Sequence, residues 1–285
     1  MQINTIVRIV IAAMLMVAVS AGNLAAEERR QGQPAELCEL VLRDGSRVFG
    51  TIERESPDEV VLRTQAGAVI TARRTDIASL RVVKGRIEKG EFFSEDLHRT
   101  RLFFAPTGRS LRRGEVSFGV FQFLAPFVQV GVTDRFSMGG GTPLLFGFDE
   151  SDRPFWMTPK FQVLDSTNAQ AAVGLLHLFN IEGDGAGIAY GVSTFGNTDN
   201  AATIGAGLAY SGDDRGWVLM GGAEGRVSRH VKVMTENYVW KTGDGILSGG
   251  FRFLGERLSA DLALAIPLGV GDFIALPVVN FVYVF

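Results

Sequence analysis

The sequence predicts an all-β protein: about twelve antiparallel strands closed into a transmembrane β-barrel, preceded by a small five-stranded module. Three observations predict it. The last nine residues, 277–285, place Val279, Phe281, Tyr283 and Phe285 at every second position, hence on one face of a strand. In water such a face is a hazard; in a bilayer it is solvated by lipid. No apolar run in the 285 residues reaches the length of a spanning helix, so a membrane can be crossed only by strands that satisfy one another's backbone groups. The 35 glycines and 21 phenylalanines suit strands, tight turns and lipid-facing aromatic belts better than a helical bundle.

Residues 1–26 read as a secretory signal peptide. Arg8 supplies the positive charge, and the apolar run 9–21 falls short of the about 20 residues a helical span needs. Small residues at Ala21 and Ala26 offer two cleavage points. The single cysteine, Cys38, cannot form an internal disulfide. It follows Ala-Glu-Leu, unlike a lipidation box, and reads as a small apolar residue at the start of a strand. With 28 basic and 31 acidic residues the net charge is −3, which excludes a general polyanion binder and a nucleic-acid partner.

Segment 37–83 carries five short strands. Asp44-Gly45 is a hairpin turn. Gly50 sits where a strand must bend, Ser56-Pro57-Asp58 breaks the chain, and Val60 and Leu62 alternate with Val61 and Arg63. A last strand is led by Asp76-Ile77. This pattern resembles the SH3-like or Sm-like small barrel. Sm relatives often bind RNA, but Phe49 is the segment's only aromatic group for stacking, so RNA recognition is not carried over. The expected contacts are periplasmic proteins, the cell wall or the barrel itself.

The bridge, 84–114, reads as a basic linker. Arg99, Arg101, Arg109, Arg112 and Arg113 occur with no acidic residue between 99 and 114, and Leu-Phe-Phe-Ala-Pro lies among them. Basic groups beside aromatics suit anionic lipid head groups, which places these five arginines at the periplasmic rim or in the barrel mouth.

From 115 to 285 strand-turn-strand repeats. Twelve spans are expected: 115–123, 126–133, 136–146, 153–164, 168–181, 185–196, 201–211, 215–226, 230–240, 245–254, 258–266 and 272–285. Their turns fall into two classes. One set, at 133–137, 165–169, 197–201, 227–231 and 255–259, is short and polar. The other, at 148–154, 182–187, 211–216, 241–245 and 268–272, is acidic and glycine-rich. Strand parity then sorts side chains. A charge facing acyl chains at mid-membrane costs about 2–4 kcal/mol, so Lys160, Glu224, Arg226, Lys232, Glu236, Arg252 and Asp261 are assigned to the lumen. They form either a structural charge network that fills a narrow barrel or the lining of a polar conduit. Small inward residues such as Gly205, Gly207, Ala209, Gly250 and Ala263 leave room for either.

Catalytic chemistry has little support. Of three histidines, only His177, followed by Glu182 and Asp184, lies near an outward loop. There is no nucleophile elbow, no cluster with metal-ligand spacing and no phosphate loop, so no cofactor is expected. The arrangement resembles exported bacterial proteins that carry an SH3-like module before an outer-membrane β-barrel. That resemblance implies the outer membrane of a diderm bacterium, with the module in the periplasm. It also implies lipid around the wall and a terminal signal (Val279, Phe281, Tyr283, Phe285) read by the barrel-assembly machinery. The implied role is structural, or the binding of a ligand or partner at the envelope. The alternatives are a channel or conduit for small solutes or lipids and, third, a lipid-modifying enzyme using His177. The short outward loops do not fit a general porin.

Overall fold

The structure, a computed structural model, describes residues 37–88, 90–144, 153–181, 185–269 and 274–285. The signal segment 1–26 and the acidic residues Glu182 and Asp184 lie outside them. The described chain falls into two units, one within Arg29–Glu95 and one within Asp96–Phe285.

The first unit is a five-stranded antiparallel sheet with a hairpin added. Strands β1 (Leu37–Leu42), β2 (Arg47–Glu55), β3 (Glu59–Arg63), β4 (Val69–Arg73) and β5 (Ile77–Val82) run in the order β4-β3-β2-β1-β5. Asp44 and Gly45 turn the first hairpin. Gly45 adopts φ +88°, and the Asp44 carboxylate accepts the Ser46 N–H at 2.8 Å, which holds its pKa below the usual value. At Gly50 a side chain would collide with the Arg63 carbonyl, so only glycine lets β2 bend against β3. Cys38, Leu40, Val60, Leu62 and Ala72 form the core, and Cys38 is a free, buried thiol. Glu39 is also buried. Its carboxylate accepts Arg81 at 2.6 Å and lies 3.5 Å from Arg47. The start of the expected linker is a hairpin of this unit, β6 (Gly85–Glu88) and β7 (Glu91–Ser94). It is fastened by stacking of Phe92 on Phe49, with ring centroids 4.8 Å apart.

The second unit is a closed antiparallel barrel. Its strands are β8 (Val116–Phe121), β9 (Ala125–Gly131), β10 (Phe136–Gly141), β11 (Phe155–Met157), β12 (Lys160–Asp165), β13 (Ala169–Phe179), β14 (Ala186–Gly196), β15 (Asn200–Ser211), β16 (Asp214–Ser228), β17 (Val231–Trp240), β18 (Gly245–Leu254), β19 (Leu258–Leu268) and β20 (Leu276–Val284). The expected strand 153–164 is broken into β11 and β12 because Pro159 has no N–H for the ladder. Both pieces lie between β10 and β13, so together they occupy one position and the wall is twelve strands around.

The ring closes where β20 meets β8, with Phe281 opposite Val120 and Val284 opposite Ser117. Beyond Phe121 the chain turns through Gln122 and Phe123, both at positive φ, a conformation that costs a non-glycine residue about 1–2 kcal/mol. The Gln122 side chain stands in for the missing strand. Its amide donates to the Pro277 carbonyl at 2.8 Å and accepts the Val279 N–H at 2.9 Å. This covers the edge of β20 that β8 is too short to reach.

Parity around the wall is strict. In β12, Lys160, Gln162 and Leu164 are buried while Phe161, Val163 and Asp165 are exposed; in β20, Val278, Asn280, Val282 and Val284 are buried. The outward set is apolar over most of its height, with Phe161, Leu219, Phe251, Phe253, Leu262 and Leu264 exposed. A membrane barrel requires such a band.

Candidate functional site

The lumen charges do not face water. Residues 96–111 run into the barrel as a hairpin and occupy the half nearest the chain's entrance, where Phe285 N–H donates to Val116 C=O. The hairpin is held by Leu102 N–H to Ala105 C=O at 2.8 Å, Thr107 N–H to Thr100 C=O at 3.0 Å, and the Thr107 hydroxyl on the Arg99 carbonyl at 2.6 Å. Its apex is Leu102, Phe103, Phe104 and Ala105.

The wall charges bind this hairpin one by one. Lys232 is 0% exposed; its Nζ lies 2.6 Å from Asp96 Oδ2 and 2.7 Å from Glu224 Oε2. Glu224 presents its other oxygen to Arg109 Nη1 at 2.6 Å. Asp261 holds two arginines, Arg252 at 2.6 and 3.1 Å and Arg101 at 3.1 Å. Arg252 also donates to the carbonyls of His98, Arg101 and Leu102. Among the described residues no salt bridge to Glu236 is found; it accepts the backbone N–H groups of Phe104 and Ala105 at 2.9 and 3.0 Å, and the Tyr238 hydroxyl at 2.8 Å. Lys160 donates to the carbonyls of Thr100 and Arg109 at 3.1 and 2.6 Å. Neutral groups complete the set. Asn280 donates to the Phe103 carbonyl, Gly108 N–H to the Thr194 hydroxyl, and the Ser110 and Ser137 hydroxyls meet.

Buried charges are tolerated when paired and hydrogen-bonded, and that requirement explains the arrangement. The wall carries Glu224, Glu236 and Asp261 at positions whose cross-strand neighbours cannot satisfy them all. Arg252 lies beside Asp261 in the register, but Glu236 lies beside Gly222. The hairpin brings the missing cations and N–H groups. Its apolar apex packs where the wall turns apolar, with Leu102 and Phe103 against Met234, Ala263 and Val278. At Gly222 a side chain would collide with Leu102, so glycine there makes the seat for the apex.

This corrects the reading of the bridge as a lipid-binding linker. Arg99, Arg101 and Arg109 are buried inside the barrel, with Arg99 on Glu115 at 2.9 Å. Their guanidinium groups meet carboxylates and carbonyls, not phosphates. Arg112 and Arg113 remain exposed. Arg226 stands apart from the hairpin; it pairs with Asp199 at 2.7 Å and caps the carbonyl of Arg229.

Beyond the apex the inward face changes character. Leu176, Ile188, Met220, Trp240 and Ile246 are only partly buried, Leu276 is 48% exposed, and Phe104 on top of the apex is 42% exposed. Among the described inward-facing residues of β11 to β20 beyond the apex, the one charge is Asp214, exposed at the start of β16.

His177 lies on the other side of the wall. It faces outward across Gly187, with Nδ1 2.6 Å from the Tyr210 hydroxyl and its ring edge-on to Phe179 at 4.2 Å. Its partners are those of an aromatic girdle. Of the terminal signal residues, Phe281 and Phe285 are exposed, and Val279 and Tyr283 are half-buried.

No family model and no curated protein matches the chain. Solved structures of membrane barrels do. Two of KdgM porin, the second of them in complex with disordered oligogalacturonate, have TM-scores of 0.46 and 0.45 at 7% and 8% identity, each covering 60% of this chain and 98% of theirs. A loop L8 deletion form of OmpT, an outer membrane protein of Vibrio cholerae, has a TM-score of 0.36 at 11% identity, covering 88% of this chain and 97% of that one. Similarity this low carries no inference about what the present chain binds or does.

Proposed function

We propose that this protein is an outer-membrane barrel sealed from within by its own N-terminal hairpin, with a structural or ligand-binding role at the envelope instead of free solute passage. One observation carries the reading. Each of Lys160, Glu224, Lys232, Glu236, Arg252 and Asp261 spends hydrogen bonds or an ion pair on residues 96–111. A charged lining that served a conduit would keep such groups on water and solute. In planar bilayers the full chain is expected to be silent. A chain with residues 97–110 replaced by a Gly-Ser run of equal length is expected to show stable open steps. Stable steps from the full chain overturn the proposal.

The first unit fits an SH3-like module in the periplasm. Its support is the strand order β4-β3-β2-β1-β5, the glycine-bent β2 and a single 3-10 turn, Arg74–Asp76, leading into β5. Trypsin added to intact cells is expected to leave the exposed Arg73 uncut and to cut there once the outer membrane is permeabilised. Cleavage in intact cells would place the module outside.

A further inference from the structure

Inside the barrel, the half beyond the hairpin apex is an apolar cup. Its floor is Phe104, whose ring lies 5.3 Å from that of Phe121. The accessible part of its wall includes Leu176, Ile188, Trp240 and Ile246, with Met220 at its base against the apex cluster, and these are aliphatic or aromatic groups turned away from lipid. Side chains that only needed to fill a lumen would be buried, as every charged wall residue bound to the hairpin is. Side chains that lined an aqueous vestibule would be polar. An accessible apolar surface on the inside of a barrel satisfies neither description and marks a binding site.

The cup also meets the outer surface. Strand β8 stops at Phe121, opposite Asn280, while β20 continues past it to Leu276. At this step Leu276 is inward and exposed, and Phe123 of the β8–β9 turn packs on the outward Phe281 with ring centroids 5.5 Å apart, so apolar side chains flank both faces of β20. The β20 edge offers no free hydrogen-bonding group there, because Pro277 has no N–H and Gln122 occupies the Pro277 carbonyl and the Val279 N–H. A hydrocarbon chain can cross such an edge without stranding a backbone polar group.

We infer that the cup binds an acyl chain of the surrounding bilayer lipid, admitted over the step between β8 and β20. Among the described residues, the side chains next to Trp240 on the inward face are apolar or aromatic and the one inward charge, Asp214, lies at the lip, a lining that suits hydrocarbon better than sugars or ions, which need several polar partners. Tyr190 and Tyr238 are the notable polar groups there, and Tyr238 already donates to Glu236. This inference rests on the sealed-barrel reading, since a lumen open to water below the cup would flood it.

The three tryptophans supply the test, because Trp156 and Trp240 face inward and Trp217 faces outward. Single-tryptophan chains are placed in bilayers containing phosphatidylcholine brominated on its acyl chains. Trp217 serves as the lipid-facing reference. The expected result is that bromolipid quenches Trp240 and Trp156 to at least half the extent seen at Trp217, while aqueous iodide quenches them little. Quenching by iodide without bromolipid, or by neither, overturns the inference. Ile246→Gln in the Trp240 chain is expected to abolish bromolipid quenching there; if that variant does not fold, Leu176→Gln gives the same reading. A silent barrel whose Trp240 ignores bromolipid leaves the sealed-barrel reading standing and this one fallen. A conducting barrel removes the sealed-barrel reading whatever the tryptophans report.

Discussion

The two halves of the lumen are made by the same strands and obey the same alternation, yet they are opposite in chemistry. Near the chain's entrance, the inward positions of β12 and β16 to β19 carry Lys160, Glu224, Lys232, Glu236, Arg252 and Asp261, and all are buried beneath a second segment of the chain. At and beyond the apex, strands β16 to β19 turn apolar groups inward: Met220 and Ala265 pack against the apex, Val218 is buried, and Trp240 and Ile246 stay partly accessible. The difference teaches that facing the lumen does not decide what a side chain does. A charge in this barrel serves as a seat for residues 96–111, and an apolar group in it serves as a surface.

If the near half is fixed by its ion pairs, removing one carboxylate should be felt more strongly than any change of shape. Asp261→Ala leaves Arg252 and Arg101 buried without their shared partner. It is expected to lower the unfolding free energy by about 3–5 kcal/mol, read from urea unfolding in lipid vesicles. A loss below about 1 kcal/mol would break the comparison, since the charges would then be incidental to the seal. A smaller effect sharpens it. Gly222→Leu fills the seat of Leu102 and is expected to cost about 1–3 kcal/mol by overpacking. It should also produce brief openings in planar bilayers where the parent is silent. Unchanged stability and silence would show that the apex is not held where Leu102 lies.

Much of this was legible in the chain. The strand spans follow from alternation interrupted by turn residues, and all twelve wall positions coincide with an expected span because each hairpin announces itself locally. The break at Pro159 was not read: 153–164 was expected as one strand, although a proline cannot donate to the ladder. The hairpin inside the barrel was not. Its partners lie far along the chain, with Arg101 binding Asp261 and Arg109 binding Glu224, and no periodicity links such positions. A weaker signal did exist. Glu236 has no cationic neighbour across either adjoining strand, so something from outside the wall had to supply donors. Leu102 and Phe103, set in the middle of a basic run, are an apolar tip without an evident core. The β6–β7 hairpin was missed for a plainer reason: its strands are four residues each, too short to outweigh the charges around them.

The position of the sealing segment in the chain has a kinetic consequence. Residues 96–111 emerge before every strand they bind, and the last of those strands, β20, is also the one that zips to β8. Because both ends of the hairpin leave at the same rim, it can settle on the sheet as the strands assemble, and its contacts to β19 and β20 are complete only when those last strands are in place. The seal is therefore completed by the same strands that complete the ring.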